Sequence, residues 1–124
     1  MSIRQSDVSA LLNGLQKKAI GFNDVINFID DFYRYSPVSF TNGQLHNHVG
    51  ENEGSAKIFG FAKLHHLNQL DTLKLFGEHY HEVLASPNGT NHQNIRNFLH
   101  WGWQAFLMEK NPLTLRPDVD VKSI

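Results

Sequence analysis

Cysteine is absent from the 124 residues, which excludes both a disulfide framework and a thiol nucleophile. An excess of one charge is also missing: 11 Lys and Arg against 12 Asp and Glu leave a formal net charge of −1, scattered along the chain. Counterion release from a phosphate backbone needs a concentrated basic face, so nucleic acid is not an expected partner. Long apolar runs are lacking too. No window nears the roughly 20 apolar residues of a membrane span, and the opening MSIRQSDVSALL has no stretch long enough for a secretory core. The expectation is a protein with no membrane span, cytoplasmic at the point of synthesis. Export signals that are compositional and not apolar stay compatible with this. Repeats and low-complexity tracts are missing as well.

What the chain does contain is enough apolar matter for a core. Hydrophobic residues make up 40%, among them nine Phe, three Tyr and two Trp, a composition that excludes intrinsic disorder. The length fits a single domain. Val8, Leu11, Leu12 and Leu15 fall at i, i+3, i+4, i+7 and predict a helix from Ser6 to about Lys18. Asn23 is placed to cap a second, with Val25, Ile26, Phe28, Ile29, Phe32 and Tyr33 on a wide apolar face, stopped by Pro37. A third, central helix carries Ile58, Phe59, Phe61 and Ala62 and starts at Asn52 or Ser55. Asn68 caps a fourth, whose inner side runs from Leu70 through Leu73, Phe76, Gly77 and Tyr80 to Leu84. Pro87, Asn88 and Gly89 signal a turn. Thr90 with Gln93 fits a capping box for a fifth helix bearing Ile95, Phe98, Leu99, Gly102 and Phe106.

The expected fold is all-α, an irregular bundle of about five helices. A long Asn/Gly-rich loop spans 38–54, with Asn42 and Gly43 able to close at most a very short hairpin. The domain is 1–124, with its core at about 6–108 and an extended tail at 109–124. Phe59, Phe61, Leu73, Phe76, Phe98 and Leu99 are expected in one core.

Eight histidines invite a metal reading, but no two stand at i, i+4. His65 with His66 and His79 with His81 diverge on a helix, and Glu78-x-x-His81 occurs once where a di-iron bundle needs that motif twice. His46 and His48, with Glu51 or Glu53, are the one set able to converge from an extended segment. The expectation is no metal and no cofactor. Ser55 lacks a Gly-x-Ser-x-Gly elbow, and the glycines of the loop do not form a phosphate-binding P-loop. A glycine-rich turn entering a helix can still present free amides to an anion. One tryptophan of Trp101 and Trp103 faces the core and the other a surface or groove, which makes Trp103 a stacking candidate. His92 and Arg96, at i and i+4, form a polar edge with Asn94. The 42–55 loop is expected to fold onto this edge, with Arg96 pairing to Glu53. The candidate binding residues are therefore Asn42, Asn47, Asn52, Glu53, Ser55, His92, Asn94, Arg96 and Trp103, and no catalytic residue is assigned.

Several words in order, FTNG at 40–43, NEGS at 52–55, KIF at 57–59, FAKL at 61–64, LFG at 75–77, NIR at 94–96 and GW at 102–103, resemble the HopJ family of bacterial type III effectors. The resemblance covers nearly the whole chain. It implies an effector-like protein, supplies no catalytic residues, and leaves two classes open. One is an interaction domain for a host or bacterial protein. The other is a small enzyme or ligand-binding domain with its site at the 42–55 loop and the edge of His92 and Arg96.

Overall fold

The computed structural model describes residues 1–122. Among them are six α-helices: α1 Gln5–Gln16, α2 Phe22–Phe32, α3 Glu53–Leu64, α4 Gln69–Lys74, α5 Glu78–Ala85 and α6 Gln93–Trp101. Seven strands of two or three residues accompany them: β1 Ser2–Arg4, β2 Tyr33–Tyr35, β3 Phe40–Asn42, β4 Leu45–Asn47, β5 Phe106–Leu107, β6 Leu113–Leu115 and β7 Asp120–Lys122. They form three small sheets: parallel β1–β7, antiparallel β2–β6, and antiparallel β4–β3–β5. None of the helices is long and apolar enough to cross a membrane.

The all-α expectation is therefore wrong, and the fold is mixed α/β with about 51% helix. The strands are too short to show apolar alternation, and most pair with partners distant in sequence. Tyr33 lies opposite Leu115, and Ser2 opposite Asp120. A pairing of that kind leaves no local signal to read. The tail is extended, as its sequence suggests, but β6 and β7 tie it to the body, and Leu113 and Val119 enter the core. Its last two residues, 123 and 124, lie outside the described residues.

α3 forms the centre. Ala56, Ile58, Phe59, Gly60, Phe61 and Ala62 are all buried, because this helix has apolar residues on every side and is surrounded by other elements. Phe59 meets the rings of Phe106, Phe98, Phe76 and Phe40 at centroid distances of 4.7, 5.0, 5.5 and 5.8 Å. Phe61 packs edge-on against Phe28 and Tyr33. Five of the six expected core residues are buried, and the sixth, Leu99, is exposed. Adjacent helical positions lie about 100° apart; Ile95 and Phe98 share the inner face of α6, and that turns Leu99 outward.

The expected fourth helix is in fact two. Gly77 takes φ +56°, and a Cβ there would come within 2.8 Å of the Phe22 amide nitrogen, so the chain breaks at a residue that only glycine suits. The turn sets α5 beside the start of α2, where the Phe22 amide donates to Glu78 Oε1 at 2.8 Å. The expected fifth helix ends early as well: Gly102 adopts φ +65°, a short 3-10 turn follows, and Phe106 enters β5.

Candidate functional site

β3 and β4 form a tight hairpin whose register places Asn42 opposite Leu45, leaving Gly43 and Gln44 as the turn. Gly43 has φ +60°, as a two-residue hairpin turn favours. A Cβ there would meet Trp101 at 2.6 Å. This closeness lets the hairpin lie flat on α6.

Four buried asparagines join the two: Asn97 Oδ1 accepts the Gln44 amide at 3.0 Å, and Asn94 bonds both Asn42 and Asn47. Asn42 Nδ2 donates to the Asn94 carbonyl at 2.8 Å and to Asn94 Oδ1 at 3.0 Å. Asn47 Nδ2 donates to the same Oδ1 at 3.1 Å, and Asn94 Nδ2 donates back to Asn47 Oδ1 at 2.9 Å. Asn52 Nδ2 reaches Asn47 Oδ1 at 2.7 Å. An amide side chain both gives and accepts, so a cluster of asparagines can satisfy itself where a single one would be costly to bury. Asn42 Oδ1 is the exception, a buried oxygen without a hydrogen-bond partner.

The junction places the first turns of α3 and α6 side by side. Both helices start from a left-handed residue, Asn52 at φ +51° and His92 at φ +52°, and neither has a side-chain cap. The expected capping box of Thr90 with Gln93 is not formed: His92 holds the N-cap position, and Gln93 Nε2 donates instead to the Thr90 carbonyl. The two starts open onto a cavity of about 420 Å³. Its apolar wall is Phe22, Leu45, Phe76 and Ile95, and its polar side includes Asn52, Ser55, His79, His92, Gln93 and Asn94. A second hollow, of about 510 Å³, lies between the α1–α2 connection and α5. Its carboxylates are already engaged by backbone amides, Asp24 by Gly21 and Glu78 by Phe22. The Phe22 amide holds Glu78 below its ordinary pKa.

Of the candidate residues, Asn52, Ser55, His92 and Asn94 meet at the first cavity, and Asn42 and Asn47 lie just behind it. Arg96 does not join them. Its Nε donates to the Asn91 carbonyl at 2.6 Å, its Nη1 to the Ser86 carbonyl at 2.7 Å, and its Nη2 to Ser86 Oγ and Asn91 Oδ1. The guanidinium fork clamps the turn before α6, and the expected pair with Glu53 is not formed. Glu53 is exposed. Trp103 stands apart: its Nε1 donates to the Leu67 carbonyl, and its ring packs on Phe98 and Phe106. The rings of His46 and His48 meet edge to face at 4.7 Å, but Glu51 accepts the His48 amide and His46 Nδ1 bonds Thr41 Oγ1.

The residues missed by sequence reasoning are His79 and Glu82. Glu82 Oε2 lies 2.7 Å from His92 Nε2, and Glu82 Oε1 lies 3.6 Å from His79 Nδ1. One ligand atom from each of the three residues lies within 4.8 Å of the others. The hydrogen bond from His92 and the nearby histidine charge hold Glu82 below the ordinary carboxylate pKa. A signal existed: His79 and Glu82 stand at i, i+3, the reverse order of the Glu78 and His81 pair. The third member comes from another helix, which spacing alone does not show.

The chain matches the HopJ type III effector protein family over residues 8–113. It is also similar to the crystal structure of VPA0580, a protein of unknown function. That match has 38% identity and a TM-score of 0.84, and covers 94% of this chain and 97% of the other. No curated protein is significantly similar. A family match across most of the chain, with a relative of the same fold over nearly its full length, makes this protein a member of the HopJ type III effector family.

Proposed function

We propose that the protein binds a small anionic ligand, a carboxylate or phosphate, in the cavity between the starts of α3 and α6. The observation that carries this reading is that two uncapped helix N-termini line one cavity. First-turn amides have no partner within a helix and carry the positive end of its dipole, which suits an anion. His79 and His92 add donors on the same side, and Phe22, Leu45 and Phe76 supply an apolar wall, the mixture typical of ligand sites. The asparagine cluster fixes the two helix starts in advance, which reduces the ordering cost of binding. In a 15N-labelled sample titrated with inorganic phosphate and with acetate, the amides of residues 53–55 and 93–95 should shift together and saturate. Saturating shifts elsewhere, with these six unmoved, would refute the reading.

A second reading, a surface for a host or bacterial protein, is favoured by a separate feature. Leu70, Leu84 and Leu99 are exposed and flank two grooves of about 320 and 370 Å³ that share Leu99. Such exposed apolar groups suit a protein contact. Export through a type III system accords with this second use, since the family is described as one of type III effector proteins. Leu99→Glu should abolish partner capture while leaving the phosphate titration unchanged. Capture that survives this change would remove the patch from consideration.

A further inference from the structure

We propose that His79, Glu82 and His92 form a binding site for one divalent transition-metal ion at the edge of the cavity. The argument begins with the geometry of α5, where residues three apart lie on one face, so His79 and Glu82 are directed together. His92 enters from the start of α6, held there by the Arg96 clamp on the preceding turn. The carboxylate stands between the imidazoles, at 2.7 Å from one and 3.6 Å from the other, and the two rings are 4.9 Å apart.

Two further facts point to a ligand. His79 Nδ1 is buried and has no hydrogen-bond partner, an uncommon state for a buried polar atom. The Phe22 ring stands edge-on to His79 at 4.9 Å, which limits how far that imidazole can turn away. Two imidazoles and a carboxylate suit zinc, iron(II), cobalt(II) or manganese, whereas calcium and magnesium call for oxygen donors. Three protein ligands leave at least one coordination position open. Both histidines line the cavity, so the open position adjoins it. An anion there would complete the metal's coordination; that role rests on the reading of the cavity given above, whereas the metal site itself does not.

The test uses the full chain without an affinity tag, freed of metal by a chelator and titrated with cobalt(II) and zinc(II). One equivalent should bind, with cobalt giving the visible spectrum of nitrogen and oxygen ligation. Glu82→Gln should weaken it by about tenfold or more, the least expected when a ligand is altered. Glu82 is exposed, so this variant folds; circular dichroism checks it. His46→Ala with His48→Ala should leave the single equivalent intact. Absence of a stoichiometric site, or one lost in the His46/His48 variant and kept in Glu82→Gln, overturns the proposal. Phosphate shifts in the metal-free protein without metal binding would sink the metal site and leave the anion reading standing. Metal binding with no response to phosphate or acetate, metal-free or loaded, would do the reverse.

Discussion

The aromatic centre and the asparagine junction solve opposite problems with the same few helices. Around Phe59, shape is filled by many rings, and the stabilisation follows apolar area removed from water, with no direction required. Between Asn42, Asn47 and Asn94, stabilisation depends on the direction of individual hydrogen bonds. The first region tolerates approximate placement and resists loss of volume. The second holds only when each partner is present, because a buried amide left alone carries its full desolvation cost.

The largest expected effect is in the aromatic centre. Phe59→Ala removes a fully buried ring in contact with five other aromatic residues and should cost about 3–5 kcal/mol in urea unfolding. A loss below about 1 kcal/mol would mean that the core is not organised around this ring. Next comes Asn94→Ala, which removes one of the two bonds of Asn42 Nδ2 and both bonds between Asn94 and Asn47, while Asn42 keeps the backbone carbonyl of residue 94 and Asn47 keeps Asn52. It should cost on the order of 3 kcal/mol, at about 1 for each of these buried hydrogen bonds. If Asn94→Ala proved nearly neutral, the contrast between directed and undirected packing would fail.

Smaller effects sharpen the boundary of the junction. Arg96→Ala should cost about 1–2 kcal/mol through its bonds to Ser86 and Asn91, and Glu53→Ala should cost little. Because Glu53 and Arg96 share no contact, the double variant should be additive within about 0.5 kcal/mol. A larger coupling energy would restore the ion pair that the structure lacks.

The mildest test concerns His65, half-buried on the aromatic side and bonded through Nε2 to the Tyr33 hydroxyl at 2.7 Å. Burial, then the charge of His66, lowers its pKa below 6.5. The unfolded chain therefore takes up this proton at a higher pH than the folded one. Stability linked to His65 is complete above pH 6.5 and falls as pH drops below it, toward the folded pKa. His65→Gln should flatten the decline in melting temperature between about pH 7 and pH 5 relative to the parent. An identical slope in both proteins would remove His65 as a source of the acid sensitivity. Tyr33, raised to about 12 by burial, stays protonated throughout this range.

The core was largely legible because apolar spacing reports which face of a helix is buried. Phe59, Phe61, Leu73, Phe76 and Phe98 follow from it, and Leu99 misled because the buried stripe of α6 runs through Ile95 and Phe98 and leaves position 99 on its rim. The site was half legible. Asn52, Ser55, His92 and Asn94 were drawn together by a simple requirement, that a long polar loop must find partners for its backbone. Arg96 and Glu53 were paired on charge alone, but the fork of Arg96 finds carbonyls nearer in the chain.

By itself, the sequence determined the family, the presence of a packed aromatic core, the existence of its main helices and, to within one residue, the tight turn, which is Gly43 and Gln44 where Asn42 and Gly43 were expected. These depend on local periodicity, on composition and on backbone conformations that few residues adopt. Only the tertiary structure decided the pairings of β1 with β7, β2 with β6 and β3 with β5, the division at Gly77 between α4 and α5, and the meeting of His79, Glu82 and His92. Each of these arises from contacts between segments that are separate in the chain. Closing such loops costs entropy that only the complete set of contacts offsets, so no single stretch of sequence carries the information.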